Sequence, residues 1–241
     1  MNSLILINCP LGQSLLKLNK INKEGLDMSK VFVVGGSGRV ATELIKRLAK
    51  AGHQVTAGAR HPEKIVSLPN VQAVQLDLHD SQANINQLIN GYDAVFFTAG
   101  SRGKDVLQTD AMGAVKTMRA AEANNIQRYI MLSSMYALEP EKWSQIPALA
   151  GITDYNIAKF FADNYLINNT KLDYTIVQPA SLTEEAGTGM VSVGANQDTT
   201  IPIPDVAHFL AACLDANNTI CKVLMIRTGQ QAIDEAIHAV K

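Results

Sequence analysis

The sequence predicts an α/β fold, a doubly wound parallel sheet with helices covering both of its faces. Short, nearly unbroken apolar runs alternate with stretches in which apolar residues recur every three or four positions. Strands apolar at consecutive positions, rather than at every second one, belong to a sheet buried on both sides. The first run, VFVVGG from Val31, feeds a glycine turn and then the helix-period stretch RVATELIKRLAK.

In chain order the pattern predicts strands near 31–35, 54–59, 71–76, 92–98, 128–133, 173–178 and 222–227. Helices are expected near 39–51, 81–90, 105–124, 154–168, 204–216 and 230–239. Right-handed crossovers between parallel strands then give a Rossmann arrangement. Two irregular stretches, 139–151 with Pro140, Trp143 and Pro147, and 184–200, read as loops. No repeat or Pro/Gly-rich linker divides the chain, so 28–241 is expected to be one domain with a small C-terminal extension on the substrate side. Residues 1–27, polar around Lys17, Lys20, Lys23 and Glu24, stand apart; they read as a leader, disordered or not native, with Met28 as the start.

Composition excludes several classes of function. A net charge of −1 with scattered basic residues offers no footprint for nucleic acid or an anionic membrane. No apolar run is long enough to span a bilayer. Cys9, Cys213 and Cys221 form no CxxC pair and the five histidines are dispersed, so neither a disulfide framework nor a metal site is expected, and the setting is read as cytoplasmic.

The turn after the first strand places Gly35, Gly38 and Ala41 at the spacing G-x-x-G-x-x-A, with Gly36 and Ser37 between the first two and Arg39 and Val40 after the second. Gly35 can adopt a conformation a β-carbon forbids, Gly38 allows close approach of a pyrophosphate, and Ala41 allows close packing of helix on strand. The helix that follows presents free N–H groups and a positive dipole end to the phosphates. Cofactor contacts are therefore expected from Gly35, Ser37, Gly38, Arg39 and Val40. The second strand ends in Arg60, where NAD-binding folds place an acid for the ribose 2′-hydroxyl; a guanidinium suits the 2′-phosphate, so NADP is expected in preference to NAD.

Ligands of such sheets bind at the carboxyl ends of the strands. Asp77, followed by Leu78, either accepts from an adenine amino group or shapes the turn before Asp80 and Ser81. Thr98, Ala99, Gly100 and Ser101 follow the fourth strand, small enough to let a ribose or phosphate lie on the backbone. Asp105 and Asp110 read as capping or surface groups.

Ser133 and Ser134 end the fifth strand, and Tyr155 and Lys159 stand four apart on the next helix, hence on one face. The Lys159 ammonium is expected to lower the Tyr155 pKa, so that the phenol exchanges a proton with a substrate carbonyl or alcohol while a nicotinamide exchanges a hydride. A serine hydroxyl would orient the same oxygen.

With GGSGRVA, FFTAGS, YIMLSS, YNIAK, LDYTIVQPASLTEEAGTG and IPIPDVAHFLAACL in this order, the chain resembles the short-chain dehydrogenase/reductase superfamily, in particular its atypical NAD(P)H-binding, NmrA-like members. The resemblance runs from Val31 nearly to the end. It implies a Rossmann domain binding NADP, with Tyr155 as acid/base, Lys159 holding the ribose, a strand-end serine assisting, and Pro179 beside the nicotinamide. The chain departs from the pattern at Met135, where extended members place a catalytic Ser or Thr, leaving Ser134 to serve; at Gln178, commonly Arg; and at Ala180, commonly Gly. The resemblance implies an NADP-dependent oxidoreductase acting on a small carbonyl, quinone or flavin-like substrate. The alternatives are a non-catalytic NADP(H)-binding redox sensor and a nucleotide-sugar epimerase or dehydratase. With 62 residues after Pro179, little room is expected for an epimerase's larger substrate domain. Met135, Tyr136, Trp143 and Met190 read either as pocket wall or as packing. Related folds dimerise through the counterparts of helices 105–124 and 154–168, so a monomer or a homodimer is expected.

Overall fold

The computed structural model describes residues 28–194 and 199–241; the expected leader at 1–27 lies outside the described residues. Its centre is an eight-stranded sheet in the order β3-β2-β1-β4-β5-β6-β10-β8. In chain order the strands are β1 (Lys30–Val34), β2 (Gln54–Ala59), β3 (Val71–Gln75), β4 (Ala94–Phe97), β5 (Arg128–Leu132), β6 (Asp173–Pro179), β7 (Ser181–Thr183), β8 (Met190–Val193), β9 (Thr200–Pro202) and β10 (Lys222–Ala232). The helices are α1 (Arg39–Lys50), α2 (Gln82–Leu88), α3 (Ala114–Ala123), α4 (Pro140–Trp143), α5 (Pro147–Ala150), α6 (Thr153–Asn169), α7 (Ile203–Ala212) and α8 (Ile233–His238).

Helices cover both faces of the sheet, so its strands alternate between two cores. Val31 and Val33 pack with Leu44, Ile45 and Leu48 of α1 and Phe209 and Leu210 of α7. Phe32 and Val34 pack with Ile85 of α2, Met118 of α3 and Leu166 of α6. This double burial explains the unbroken apolar runs, as the sequence implied. The order reverses between β1 and β4, which leaves a crevice at their carboxyl ends.

At the opposite end, Arg128 binds the C-terminal third to the sheet. Its guanidinium donates to the carbonyls of Asp173 and Cys213 and to the hydroxyls of Thr175 and Thr219. Burial brings Arg128 down to about 10, and pushes the free Cys213 thiol up to about 12.

The structure departs from the sequence pattern in four places. β8 pairs antiparallel with β10 at the sheet edge, so the sheet is not wholly parallel. β10 runs on to Ala232 where a helix from 230 was expected, because the antiparallel partner supplies bonds that residues 228–232 do not advertise. The register shifts between Arg227 and Gln231, and a β-carbon on Gly229 would sit 2.3 Å from the Ser192 nitrogen, so this bulge requires glycine. The two irregular stretches hold the short helices α4 and α5 and, with residues on either side, the small parallel pair β7–β9. Finally, the helix expected over 105–124 starts as a π-helix, Val106–Gly113, before α3. Wide turns of this kind are rare and concentrate at functional sites.

Candidate active site

A cleft of about 840 Å³ opens across the carboxyl ends of β1, β2 and β4. Its walls bring together almost every residue that the sequence singled out: Gly35, Ser37, Gly38, Arg39 and Val40 from the glycine turn, Arg60 after β2, and Asp77 with Leu78 after β3. Ala99 and Gly100 after β4 and Tyr155 with Lys159 of α6 complete it. Ser134 and Pro179 lie elsewhere, on a smaller pocket of about 180 Å³. The two cavities share Leu132, Ile152, Tyr155 and Leu182, so Tyr155 stands on the wall of both.

The turn is built tightly. The N–H groups of Gly35 and Gly36 both donate to the Gly58 carbonyl at 2.9 Å, and Gly38 N–H donates to the Gly35 carbonyl at 2.9 Å. Gly35 has φ +83°, and a β-carbon there would lie 2.6 Å from the Ala99 Cα. Gly38 caps α1 without a side-chain bond, and no acidic residue stands in the first turn. The free N–H groups and the positive end of the α1 dipole are thereby left for an anion in the cleft.

Arg60 is exposed at the cleft mouth, and among the described residues no carboxylate lies within ion-pairing distance of it. Arg39 pairs with Glu184, which follows β7. Asp77 lines the cleft, and its Oδ1 accepts from the His79 N–H at 2.9 Å, while Ser81 caps α2. Asp105 accepts from the His79 ring and the Thr109 hydroxyl, bonds that hold its carboxyl below the usual range. Arg102 and Thr109, which no motif marks, also line the cleft.

Asp110 corrects the expectation of a capping or surface group. The π-helical winding turns it inward, and it is fully buried. Its Oδ2 accepts from the Ser101 N–H at 3.0 Å. Its Oδ1 has no hydrogen-bond partner and lies 4.0 Å from Lys159 Nζ, an ionic contact too long for a hydrogen bond.

Tyr155, Lys159 and Asp163 follow one another on a single face of α6, at successive four-residue steps. Lys159 is buried; its Nζ donates to the Leu132 carbonyl at 3.2 Å and lies 5.6 Å from the centroids of both the Tyr155 and the Phe97 rings. Burial raises the Tyr155 phenol above its ordinary value; Lys159 opposes that rise, and Asp110 and Asp163 add to it. The net direction is opposite to the lowering expected from the Tyr/Lys spacing, because desolvation outweighs the ammonium.

Asp163 is the functional-looking residue that the sequence reading missed. The Ser133 hydroxyl donates to both of its oxygens (2.7 and 2.8 Å), and Gln178 Nε2 donates to Oδ2 at 2.9 Å. The Ser133 hydroxyl is thus committed to Asp163, while both serines line the smaller pocket. Gln178, standing where the resemblance would place an arginine, supplies a neutral donor.

Burial pushes Asp163 up from 3.8 to about 6, against the pull of Ser133, Gln178 and Lys159. The folded protein therefore holds a proton between about pH 4 and pH 6 that the unfolded chain has lost, and stability falls as pH rises through that window. A displacement of this size corresponds to about 3 kcal/mol. Urea denaturation across that range should show the wild type gaining stability on acidification relative to Asp163→Asn, which lacks the titrating group. Parallel pH profiles for the two proteins would contradict this.

Of the four aromatic and Met candidates, Met135 lies on the wall of the smaller pocket, and Tyr136 and Trp143 pack against the core. No described helix is long and apolar enough to cross a membrane.

A family model described as NAD(P)H-binding matches residues 35–217. The chain is 33% identical over 216 residues to YhfK of Bacillus subtilis (strain 168), an uncharacterized sugar epimerase; the match covers 86% of this chain and 98% of that one. It is 33% identical over 227 residues to the UPF0659 protein YMR090W of Saccharomyces cerevisiae, covering 87% and 98%. The crystal structure of the oxidoreductase ylbE from Lactococcus lactis matches with a TM-score of 0.83 at 39% identity, over 88% of this chain and 96% of that one.

Proposed function

Since this chain belongs to the NAD(P)H-binding family, of short-chain dehydrogenase/reductase type, we propose that it is an NADP-dependent oxidoreductase acting on a small carbonyl, quinone or flavin-like substrate. One observation carries the reading: Tyr155 and the buried Lys159 share a cleft with a glycine turn that leaves a helix N-terminus free, and with an unpaired Arg60 at its mouth.

The residues fit a dinucleotide. At Gly35 a β-carbon would collide with Ala99, so the turn stays bare for a pyrophosphate, and the α1 N–H groups supply donors. Arg60 suits a 2′-phosphate, because its guanidinium offers a fork of donors and, among the described residues, has no carboxylate within ion-pairing distance. When bound, the nicotinamide cofactor donates or accepts the hydride.

This chain's residues handle the proton. An ordinary phenol is protonated at neutral pH and burial raises that of Tyr155 further, so its Oη holds the proton that a carbonyl oxygen needs as it becomes an alcohol. Lys159 stabilises the phenolate left behind, and Ser134 donates to the same substrate oxygen. Asp110 and the Leu132 carbonyl hold the ammonium in place.

Lys159→Met should lower turnover by about one to three orders of magnitude, the ~1–3 pKa units that a neighbouring opposite charge is worth. Steady-state kinetics with NADPH would check this; unchanged kcat would remove Lys159 from the mechanism. A second reading, a redox sensor that binds NADP(H) without chemistry, draws support from Met135 in the family's Ser/Thr position and from the commitment of Ser133 to Asp163.

A further inference from the structure

Beside Tyr155, the smaller pocket has a wall that contains no Asp, Glu, Lys, Arg or His. Met135, Leu149, Ile152 and Leu182 make it apolar, and its hydrogen-bonding side chains are those of Ser133, Ser134, Ser181 and Tyr155. Ser133 is already bonded to Asp163. The buried Arg227 is not on the wall; its guanidinium donates to the Tyr136 hydroxyl at 2.7 Å.

Size and charge then select the ligand. About 180 Å³ is the room of roughly six water molecules at ~30 Å³ each, and lies below the ~300 Å³ at which pockets begin to hold drug-sized ligands. A carboxylate or diphosphate seated there would meet hydroxyls and no cation on the wall to pair it. A neutral carbonyl needs only one or two donors at its oxygen, and Tyr155 and Ser134 offer them.

We infer that this pocket is the substrate site and that it narrows the candidate substrates to a small, uncharged, largely apolar aldehyde or ketone, in preference to the quinone and flavin-like ones and to nucleotide sugars and keto acids. The inference rests on the Tyr155-centred oxidoreductase reading. Tyr155 gives its proton to the carbonyl oxygen, NADPH gives its hydride to the carbonyl carbon, the products are the alcohol and NADP+, and a proton from solvent restores the phenol.

Diacetyl and pyruvate test it, being close in shape and different in charge. With NADPH, wild-type kcat/KM for diacetyl should exceed that for pyruvate by about a hundredfold, with menadione and UDP-glucose inert. Ala148 lies exposed on the pocket rim, where substitution leaves the core alone. Ala148→Lys should shift the preference towards pyruvate by about tenfold, the effect of one favourable charge contact. Ala148→Trp should block diacetyl turnover while NADPH still binds with wild-type affinity.

Tyr155-dependent turnover of pyruvate, menadione or UDP-glucose at rates matching diacetyl would overturn the inference and leave the oxidoreductase reading standing. NADPH binding with no turnover of diacetyl would overturn it as well. Failure to bind NADPH would take down both.

Discussion

Tyr155→Phe is expected to lower kcat by a factor on the order of 10²–10⁴, the usual worth of a positioned general acid, while NADPH affinity stays within about twofold of wild type. The substitution removes one hydroxyl. It keeps the ring that lies 5.6 Å from Lys159 Nζ, and Phe fits the same partly buried space, so the fold and the cleft are preserved. Without the phenol, a carbonyl oxygen at the junction of the two cavities meets only the Ser134 hydroxyl, whose pKa is far too high to release a proton at speed. The raised pKa of Tyr155 adds a pH signature: the acid form persists at neutral pH, so carbonyl reduction should lose rate on the alkaline side as the phenol ionises. The sensor reading predicts the opposite pattern, in which the Phe variant keeps every cofactor-linked property. Turnover equal to wild type would remove Tyr155 from the mechanism.

Gly35→Ala is the second substitution expected to be severe. Gly35 sits at φ +83°, where an L-residue pays about 1–2 kcal/mol, and its new β-carbon would approach the Ala99 Cα to 2.6 Å. Backbone on both sides leaves nothing flexible to yield, so overpacking adds roughly 1–3 kcal/mol. Relief can come only by moving the turn, which displaces the α1 N-terminus and should cost most of the NADPH affinity. Gly91 is the control, with φ +82° and open space where its β-carbon would stand. Gly91→Ala should show the conformational cost alone and bind NADPH normally. Equal denaturation midpoints and equal affinities for the two variants would refute the close-contact account of Gly35.

The first half of the fold was legible because each of its elements announces itself locally. β1, α1 and β2 lie within a residue or so of their expected bounds, since a strand buried on both faces, a glycine turn and a helix with one apolar stripe leave separate marks. The edge was not legible. β8 is four residues long and β10 is extended by residues 228–232, whose strand geometry comes from cross-strand bonds rather than from their own preferences.

A similar division runs through the site. Glycine spacing, Arg60 and the Tyr155/Lys159 step all mark positions that converge on one cleft, because each is set by a local turn or a single helix face. Asp110 escaped notice because a π-helix changes which residues face inward, and the expected α-helical period put it on the surface. Asp163 was within reach, since it continues the Tyr155 and Lys159 face by another four residues. Both Ser133 and Ser134 line the smaller pocket, and it is the way the chain leaves β5 that ties the Ser133 hydroxyl to Asp163.

The central claim, an NADP-dependent site centred on the glycine turn and Arg60, is tested most directly by titrating the protein with NADPH and NADH, following nucleotide fluorescence, in wild type and Arg60→Glu. The account predicts tighter binding of NADPH, by about tenfold or more for a guanidinium–phosphate contact, and loss of that preference in the variant. Equal affinity for both nucleotides in wild type, or an unchanged preference in Arg60→Glu, would contradict it.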